Sequence, residues 1–250
     1  MEVKVLGMHG GEANGLRSSA YLVNGRVLLD AGGGASCLTD EEALGLEACL
    51  LTHAHLDHTY ALPMLLDRRI GHPTLSAFSI EPVVQALSAH MFNGALWPDM
   101  TKRPTPDAPL LRLIEVQPRT PLRVGGLLAT AIEVAHSVPG VAWLLEEEGG
   151  ARVLFSGDTG PTREAWDQAA KTGIAGAFIE VSYPNRMAAQ AARTGHLTPS
   201  DLASVLRLLP PSAQVKVIHL KPDLQGEIER DLAPVAARVE VARPLAVYRF

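Results

Sequence analysis

The chain has 250 residues, 47% of them hydrophobic and 20% charged, which is enough apolar material for one large packed domain or two small ones. This composition excludes a disordered or fibrous protein. The formal net charge of −5 gives the chain as a whole no electrostatic attraction to nucleic acid or anionic lipid, so neither partner is expected. No apolar stretch is long enough for a membrane span and residues 1–7 have a strand pattern rather than that of a leader, so we expect a soluble, cytoplasmic protein.

The first part of the chain alternates short apolar runs with glycine and asparagine. Asn24-Gly25 lies between two such runs, which is a strong hairpin signal. We therefore predict antiparallel strands over 3–6, 20–23 and 27–29. A capping-box-like start at 39–42 predicts a helix, and further along we predict a strand over 47–51 and a helix over 80–91. Residues 93–109 concentrate proline and aspartate without periodicity, which predicts a long functional loop.

The second part of the chain begins again with strand patterns and then alternates strands with helices. The predicted strands are 110–116, 127–134, 141–145, 153–155, 176–181, 215–220 and 239–248, and the predicted helices are 166–171, 200–209 and 225–233. Two β-rich stretches, each followed by helices, predict an α/β protein in which two sheets pack together with helices outside. No linker separates the halves, so we interpret residues 1–250 as a single domain with weak internal duplication.

The strongest chemical feature is the run Thr52-His53-Ala54-His55-Leu56-Asp57-His58, which follows an apolar strand. Side chains at i and i+2 of an extended segment point to the same side, so His53 and His55 can hold one metal ion. If a helix begins near Leu56, Asp57 and His58 lie in its first turn and can serve a second ion. The alternative is a polar loop with incidental histidines, but three of the chain's nine histidines lie within the six positions 53–58. Imidazoles with a carboxylate suit zinc or a similar divalent ion.

This pattern resembles the metallo-β-lactamase fold superfamily, which implies a four-layer αββα sandwich of two mixed β-sheets flanked by helices. The resemblance implies two divalent metal ions. Zinc is the expected ion, and manganese or iron would also suit histidine and aspartate ligands. In the implied ligand set, His53, His55 and His136 hold one metal, Asp57, His58 and His219 hold the other, and Asp158 bridges them. The resemblance also implies that Asp30 supports the ligand loop without being a ligand.

Two further segments of the sequence indicate which reaction of the superfamily is expected. Residues 178–185, which contain Glu180, and residues 194–199, which contain His196, resemble the paired Glu and Gly-His-x-Thr elements of the superfamily's phosphodiesterase branches. There the histidine lies beside the scissile phosphate and the glutamate orients it. An imidazolium held by a carboxylate is a competent general acid for an alkoxide leaving group. The alternative is a helix cap, in which Thr198 or Ser200 opens the next helix and His196 is merely exposed.

The segment from His90 to Asp99 makes the resemblance narrower, because its Phe-Asn and Trp-Pro elements resemble those of class II 3',5'-cyclic nucleotide phosphodiesterases. This resemblance assigns substrate binding to Phe92, Asn93 and Trp97. The two aromatic rings would face a purine and the asparagine would pair with its edge. The alternative is a buried aromatic helix end. The chain departs from that family at Ala61, where glycine is usual, and at Asp99, where asparagine is common.

These observations predict a binuclear metal phosphodiesterase that hydrolyses 3',5'-cyclic nucleotides to 5'-monophosphates. Cyclic AMP is the expected substrate and cyclic GMP the alternative, and the expected catalytic residues are Asp57, Glu180 and His196. A tRNA 3'-processing endonuclease is the nearest rival, but it would need a long basic or Gly-Pro-rich arm that the sequence lacks. Other hydrolases of the superfamily and an inactive metal-binding scaffold are further alternatives. The expected partner is a small cyclic nucleotide, and a homodimer is compatible with the resemblance.

Overall fold

The hairpin predicted at Asn24-Gly25 lies near the centre of the first sheet. Tyr21 pairs with Leu29 and Val23 with Val27 across the turn, and both turn residues have positive φ, 50° and 68°. Asn24 and Gly25 are the central residues of a turn in which Arg26 donates its N–H to the carbonyl of Val23, and two positive φ angles there match the twist of antiparallel strands, which explains the preference for Asn-Gly. The local sequence therefore fixes the register of this part of the sheet.

The computed structural model describes residues 1–250 and contains two mixed sheets of seven strands each. In spatial order, the first sheet consists of β14 (Val247–Arg249), β1 (Glu2–Gly7), β2 (Ala20–Val23), β3 (Val27–Leu29), β4 (Ala48–Leu50), β5 (Leu75–Ser79) and β6 (Leu111–Glu115). The second consists of β13 (Val239–Val241), β12 (Gln214–Ile218), β11 (Gly176–Glu180), β10 (Arg152–Phe155), β9 (Gly140–Glu147), β8 (Leu127–Val134) and β7 (Leu122–Val124).

Eight short α-helices flank the two sheets, which confirms the predicted α/β sandwich. They are α1 (Asp40–Gly45), α2 (Leu56–Thr59), α3 (Leu62–Arg68), α4 (Glu81–Ala86), α5 (Glu164–Thr172), α6 (Ala188–Thr194), α7 (Pro199–Leu206) and α8 (Gln225–Asp231). A π-helical turn, Leu87–Met91, continues α4. One apolar core runs through both sheets, and the Trp143 indole of β9 donates to the carbonyl of Leu51 beyond β4. None of the helices is long and apolar enough to cross a membrane.

The prediction of one strand over 239–248 is wrong, because the segment divides between the two sheets. β13 pairs with β12, whereas β14 pairs with β1 of the other sheet. The break lies at Pro244-Leu245, where Leu245 adopts a φ of 63° and donates its N–H to the carbonyl of Val5. A proline cannot donate to a ladder and a left-handed residue turns the chain, so a continuous strand is not formed.

The predicted metal ligands and Glu180 lie at or just after the ends of β4, β8, β10, β11 and β12. The loops of both sheets therefore converge at one edge of the sandwich. Two of the residues there, Asp30 and His219, have positive φ angles of 55° and 62°. Left-handed backbone is sparsely populated by side chains other than glycine, and it concentrates at functional sites. The edge therefore combines converging loops with locally strained backbone.

Candidate metal centre

Asp158, in the loop after β10, lies at the middle of this edge and is buried. Its Oδ2 lies 3.6 Å from Nε2 of His53 and 3.8 Å from Nε2 of His136. Its Oδ1 lies 3.2 Å from Nε2 of His58 and 3.3 Å from Nε2 of His219. Each oxygen of this carboxylate thus faces a different pair of imidazole nitrogens, as a bridging ligand would.

The first group of donor atoms belongs to His53, His55, His136 and Asp158, and these atoms all lie within 4.8 Å of one another. Nδ1 of His55 is 3.2 Å from Nε2 of His136. Donor atoms around a tetrahedral zinc ion with bonds of about 2.0–2.1 Å are separated by roughly 3.3 Å. The separations in this group are therefore close to those of a four-coordinate ion.

The second group belongs to Asp57, His58 and His219. Asp57 and His58 lie in α2, as the sequence predicts, and Asp57 Oδ2 is 3.2 Å from Nε2 of His219. The Oδ1 atom of Asp158 completes this group on its inner side. The structure thus brings all seven residues of the predicted ligand set together, three on each side of a shared carboxylate.

Polar groups behind the first ligand loop orient two of these imidazoles. Nδ1 of His58 lies 2.7 Å from Oδ2 of Asp30, and Nδ1 of His53 lies 3.0 Å from Oγ1 of Thr52. Thr52 in turn donates both its N–H and its hydroxyl to Asp30. Asp30 thus supports the loop as the resemblance implies, whereas the role of Thr52 was not predicted.

The other two strand-end histidines are oriented in the same way. Nδ1 of His136 lies 2.8 Å from the carbonyl of Gly195, and Nδ1 of His219 lies 2.8 Å from Oγ of Ser182. A hydrogen bond at Nδ1 fixes the tautomer, so Nε2 carries the lone pair that a metal needs. Gly195 has a φ of 70°, and a Cβ there would lie 2.8 Å from the Cα of His136, so glycine is required for this approach.

Three buried donor atoms without a hydrogen-bond partner indicate that the two donor groups fit divalent ions. Nε2 of His53, Nε2 of His58 and Oδ1 of Asp158 are buried and have no hydrogen-bond partner. Buried polar atoms nearly always have a partner, because leaving them unpaired costs about 1–3 kcal/mol each. Nε2 of His53 belongs to the first donor group and the other two atoms to the second, so a cation bound in each group would satisfy all three.

The electrostatics of the histidines agree with this interpretation. Burial lowers the pKa of His53, of His55 and of His136, so these imidazoles are neutral at pH 7, as ligands must be. Burial also acts to lower the pKa of His58, but the carboxylates of Asp158 and Asp30 outweigh it and raise that pKa well above its usual value. The two carboxylates therefore stabilise a positive charge at His58, and a metal ion bound there would supply that charge.

The predicted acid pair lies beside the metal ligands. Nδ1 of His196 is 2.8 Å from Oε1 of Glu180, and it is 4.0 Å from Oδ2 of Asp158. Both side chains are buried, so the alternative of an exposed His196 is wrong, although Thr198 does cap α7. Burial acts to lower the pKa of His196, but the Glu180 carboxylate raises it above its usual value. This favours the protonated imidazolium.

Ser182 connects the acid pair to the second metal group and was not predicted from the sequence. Its hydroxyl donates to Oε2 of Glu180 at 2.7 Å and accepts from Nδ1 of His219 at 2.8 Å. The N–H of Thr159 binds the other glutamate oxygen at 3.0 Å. The Glu180 carboxylate is therefore fixed by Thr159, Ser182 and His196. Ser182 lies two residues after Glu180 at a strand end, and this spacing was the only available signal.

The residues assigned to substrate binding are placed differently from the expectation. Phe92 is only 2% exposed, so its ring lies in the core and presents no face to a purine. The Asn93 amide donates to the carbonyl of Ala89, and its oxygen accepts from two backbone N–H groups of its own loop. Trp97 packs against the core with part of its ring accessible, and its substrate contact stays a prediction.

The two departures from the family pattern have local structural explanations. Ala61 precedes α3, where it is nearly buried and donates its N–H to the carbonyl of Ala31. Its φ of −83° is one that any residue adopts. Asp99 accepts from Thr101 and pairs with Lys102 at 2.7 Å, so its carboxylate stabilises a turn of the long loop.

The two-sheet sandwich and the histidine-aspartate cluster at its edge define a metallo-β-lactamase-fold hydrolase. The family model described as "Beta-lactamase superfamily domain" matches residues 25–220, and the chain belongs to this superfamily. The match includes every residue of the two ligand groups. It therefore identifies the class of protein and leaves the substrate open.

Solved structures of low sequence identity share the whole fold. The metallo-β-lactamase fold protein YhfI from Bacillus subtilis is 18% identical, with a TM-score of 0.80 over 99% of this chain and 98% of that one. Unliganded yeast PDE1 is 16% identical, with a TM-score of 0.84 over 98% of each chain. The short form of human tRNase Z is 18% identical, with a TM-score of 0.72 over 100% of this chain and 99% of that one.

One curated protein also matches over part of the chain. It is described as an octanoyltransferase from Porphyromonas gingivalis and is 34% identical over 92 residues. The match covers 36% of this chain and only 17% of that protein. The activity of that protein is therefore no guide to the activity of this one.

Proposed function

We propose that the protein is a binuclear metal-dependent phosphodiesterase that hydrolyses 3',5'-cyclic nucleotides to 5'-monophosphates. Cyclic AMP is the expected substrate and cyclic GMP the alternative. The observation that carries this proposal is the buried Glu180–His196 pair, whose imidazole lies 4.0 Å from the shared carboxylate of Asp158. A sugar alkoxide leaves poorly unless it is protonated, and a carboxylate-held imidazolium beside the metal groups provides that proton.

The seven ligand residues would hold two divalent ions, for which zinc is expected and manganese or iron would also suit the donor set. When bound, such ions lower the pKa of water toward neutrality and neutralise the charge on a phosphoryl group. The imidazoles of His53, His55 and His136 are held neutral by burial, and Asp158 lies between the two groups. In this proposal the phosphate lies between the two donor groups, next to Asp158.

The acid pair would act on the leaving oxygen. His196 gives its proton to the 3' oxygen as that oxygen leaves phosphorus and an oxygen from water bonds to phosphorus in its place, and Glu180 stabilises the charged imidazole before that step. Ser182 and Thr159 hold Glu180 in place through 2.7 Å and 3.0 Å hydrogen bonds. Because the carboxylate is buried and fixed, little reorganisation is needed when the proton moves.

The comparisons support a phosphate ester substrate only through similarity of fold. Proteins named PDE1 and tRNase Z share the sandwich at 16% and 18% identity. The net charge of −5 is unfavourable for binding a tRNA, and this favours a cyclic nucleotide as the substrate. The narrower resemblance to class II cyclic nucleotide phosphodiesterases rests on the sequence elements around Glu180, His196 and Trp97.

The test is a comparison of three substrates with the metal-loaded protein: cyclic AMP, a precursor tRNA and a chromogenic β-lactam. We expect turnover of cyclic AMP to 5'-AMP, identified by chromatography, and no appreciable turnover of the other two. The Asp158→Ala variant controls for contaminating activity. Cleavage of the precursor tRNA without cyclic AMP hydrolysis would replace this proposal with the endonuclease alternative.

A further inference from the structure

The segment that follows β1 connects the first sheet to the backbone around the metal ligand His219. The N–H of His219 donates to the carbonyl of Met8 at 2.6 Å, and the N–H of Gly10 donates to the carbonyl of Leu220 at 3.0 Å. β1 belongs to the first sheet, whereas His219 follows β12 of the second. These two hydrogen bonds therefore join the two sheets directly at the metal centre.

The backbone of His219 depends on this support, because it is strained. Its φ of 62° lies in the left-handed region, which a residue with a side chain keeps only when the surrounding structure holds it there. The bond to Met8 fixes the backbone before the His219 side chain, and the bond from Gly10 fixes the backbone after it. A shift of this segment would therefore move the imidazole of His219.

Gly10 also lies directly against the ring of His219. A Cβ at position 10 would lie 2.8 Å from Cε1 and 2.9 Å from Nδ1 of that ring, and 2.9 Å from its carbonyl oxygen. Carbon atoms that are not bonded to each other are most stable about 3.5–4.0 Å apart, so any side chain at this position would displace the ring. The φ of Gly10 is not in the left-handed region, so glycine is required here by space and not by backbone conformation.

The side chain of His9 anchors the same segment to α8. This side chain is buried, and its Nε2 lies 3.1 Å from Oε1 of Gln225, the first residue of α8. On the other side, the N–H of His9 donates to the carbonyl of Arg17 at 3.0 Å. The segment is thus held from two directions, which fixes the distance between Gly10 and the ring of His219.

We propose that Gly10 is a positioning residue for the second donor group, because its backbone sets the place of the His219 imidazole and thereby the affinity of this group for its ion. The three atoms nearest to its Cβ position all belong to His219, so the effect is directed at the second group and not at the first. The inference requires metal binding by the two groups but no particular substrate. Failure of the proposed phosphodiesterase activity would therefore leave it standing.

The experiment is a zinc titration of Gly10→Ala, followed by nitrogen NMR of the histidine rings, in which each ligand imidazole reports its own metal contact. We expect the zinc affinity measured at His219 to fall by about tenfold or more, as is typical when a group that orients a ligand is changed. The affinity measured at His53 of the first group should change much less. Gly226→Ala is the matched control, because this glycine of α8 has no atom within 4 Å of its Cβ position. An unchanged affinity at His219, or an equal loss at His219 and His53, would overturn the inference.

A second variant, Gln225→Ala, tests the anchor without adding a side chain to the site. It leaves Nε2 of His9 without its partner and should lower the zinc affinity at His219 by a smaller factor, about threefold. Gln85→Ala is its control, because the amide of each glutamine donates to a glutamate one helical turn away. If circular dichroism shows that Gly10→Ala does not fold, this variant decides the question, and an unchanged affinity at His219 would overturn the inference.

Discussion

Removal of the Ser182 hydroxyl tests whether the acid pair and the second metal group are coupled. In Ser182→Ala, Nδ1 of His219 and Oε2 of Glu180 lose partners at 2.8 Å and 2.7 Å. Both atoms are buried, so water does not readily replace the hydroxyl. A hydrogen bond to a charged group is worth about 1.5–3 kcal/mol, which is a factor of roughly 10–100 in an equilibrium constant. Loss of a group that orients a metal ligand typically costs about the same factor in metal affinity.

We therefore expect Ser182→Ala to bind one of two zinc ions about 10–100-fold more weakly while the other ion is retained. The assay is competition with a chromogenic chelator, followed by metal analysis of the protein. Nitrogen NMR of the metal-free protein gives an independent readout, because His219 should lose its single Nδ1–H tautomer there. Ser204→Ala on the exposed face of α7 is the control. Unchanged affinity for both ions together with an unchanged His219 tautomer would refute the coupling.

Three further variants test the assignments at the metal centre. Asp158→Ala should lose metal from both groups and lose activity, because the carboxylate faces the Nε2 atoms of four histidines. Full metal content in this variant, measured by elemental analysis, would contradict the bridging role. His196→Ala should retain its metals while kcat falls by about 10²–10⁴, and the loss should shrink for a nitrophenyl ester, whose leaving group needs no proton. Loss of metal, or an equal fall for both esters, would show that His196 is not the acid. Glu180→Gln removes the carboxylate that raises the pKa of His196, so the acid loses its proton at lower pH. The alkaline limb of the kcat profile should move to lower pH, and an unmoved limb would exclude Glu180 as the group that charges the imidazole.

The sequence predicts those parts of the protein whose determinants are local. The hairpin at Asn24-Gly25 and the ligand loop from His53 to His58 depend on turn geometry and on short spacing, so both could be read from neighbouring residues. His136, Asp158 and His219 are far apart in the chain, and only the family resemblance assembled them. Their grouping is present in the structure, while their roles stay predictions.

What could not be predicted depends on tertiary packing. Phe92 has the same sequence neighbours whether it faces a ligand or the core, and only the packing of the helix end decides that it is buried. Thr52 carries no signal of its own and Ser182 only its position two residues after Glu180, since a serine or threonine after a strand usually bonds to water or to its own backbone. The switch of residues 239–248 between sheets depends on a pairing with β1, which begins at the opposite end of the sequence.

The shared position of Asp158 has a thermodynamic consequence. A carboxylate with one oxygen toward each group cannot serve one ion without changing the charge and freedom that the other ion meets. The two binding events are then linked, and whatever factor the first ion applies to the affinity of the second is applied equally in return. The dissociation constant of each group accordingly takes one value when the other group is empty and another when it is filled, so the metal content at a given free ion concentration reflects both groups and their coupling.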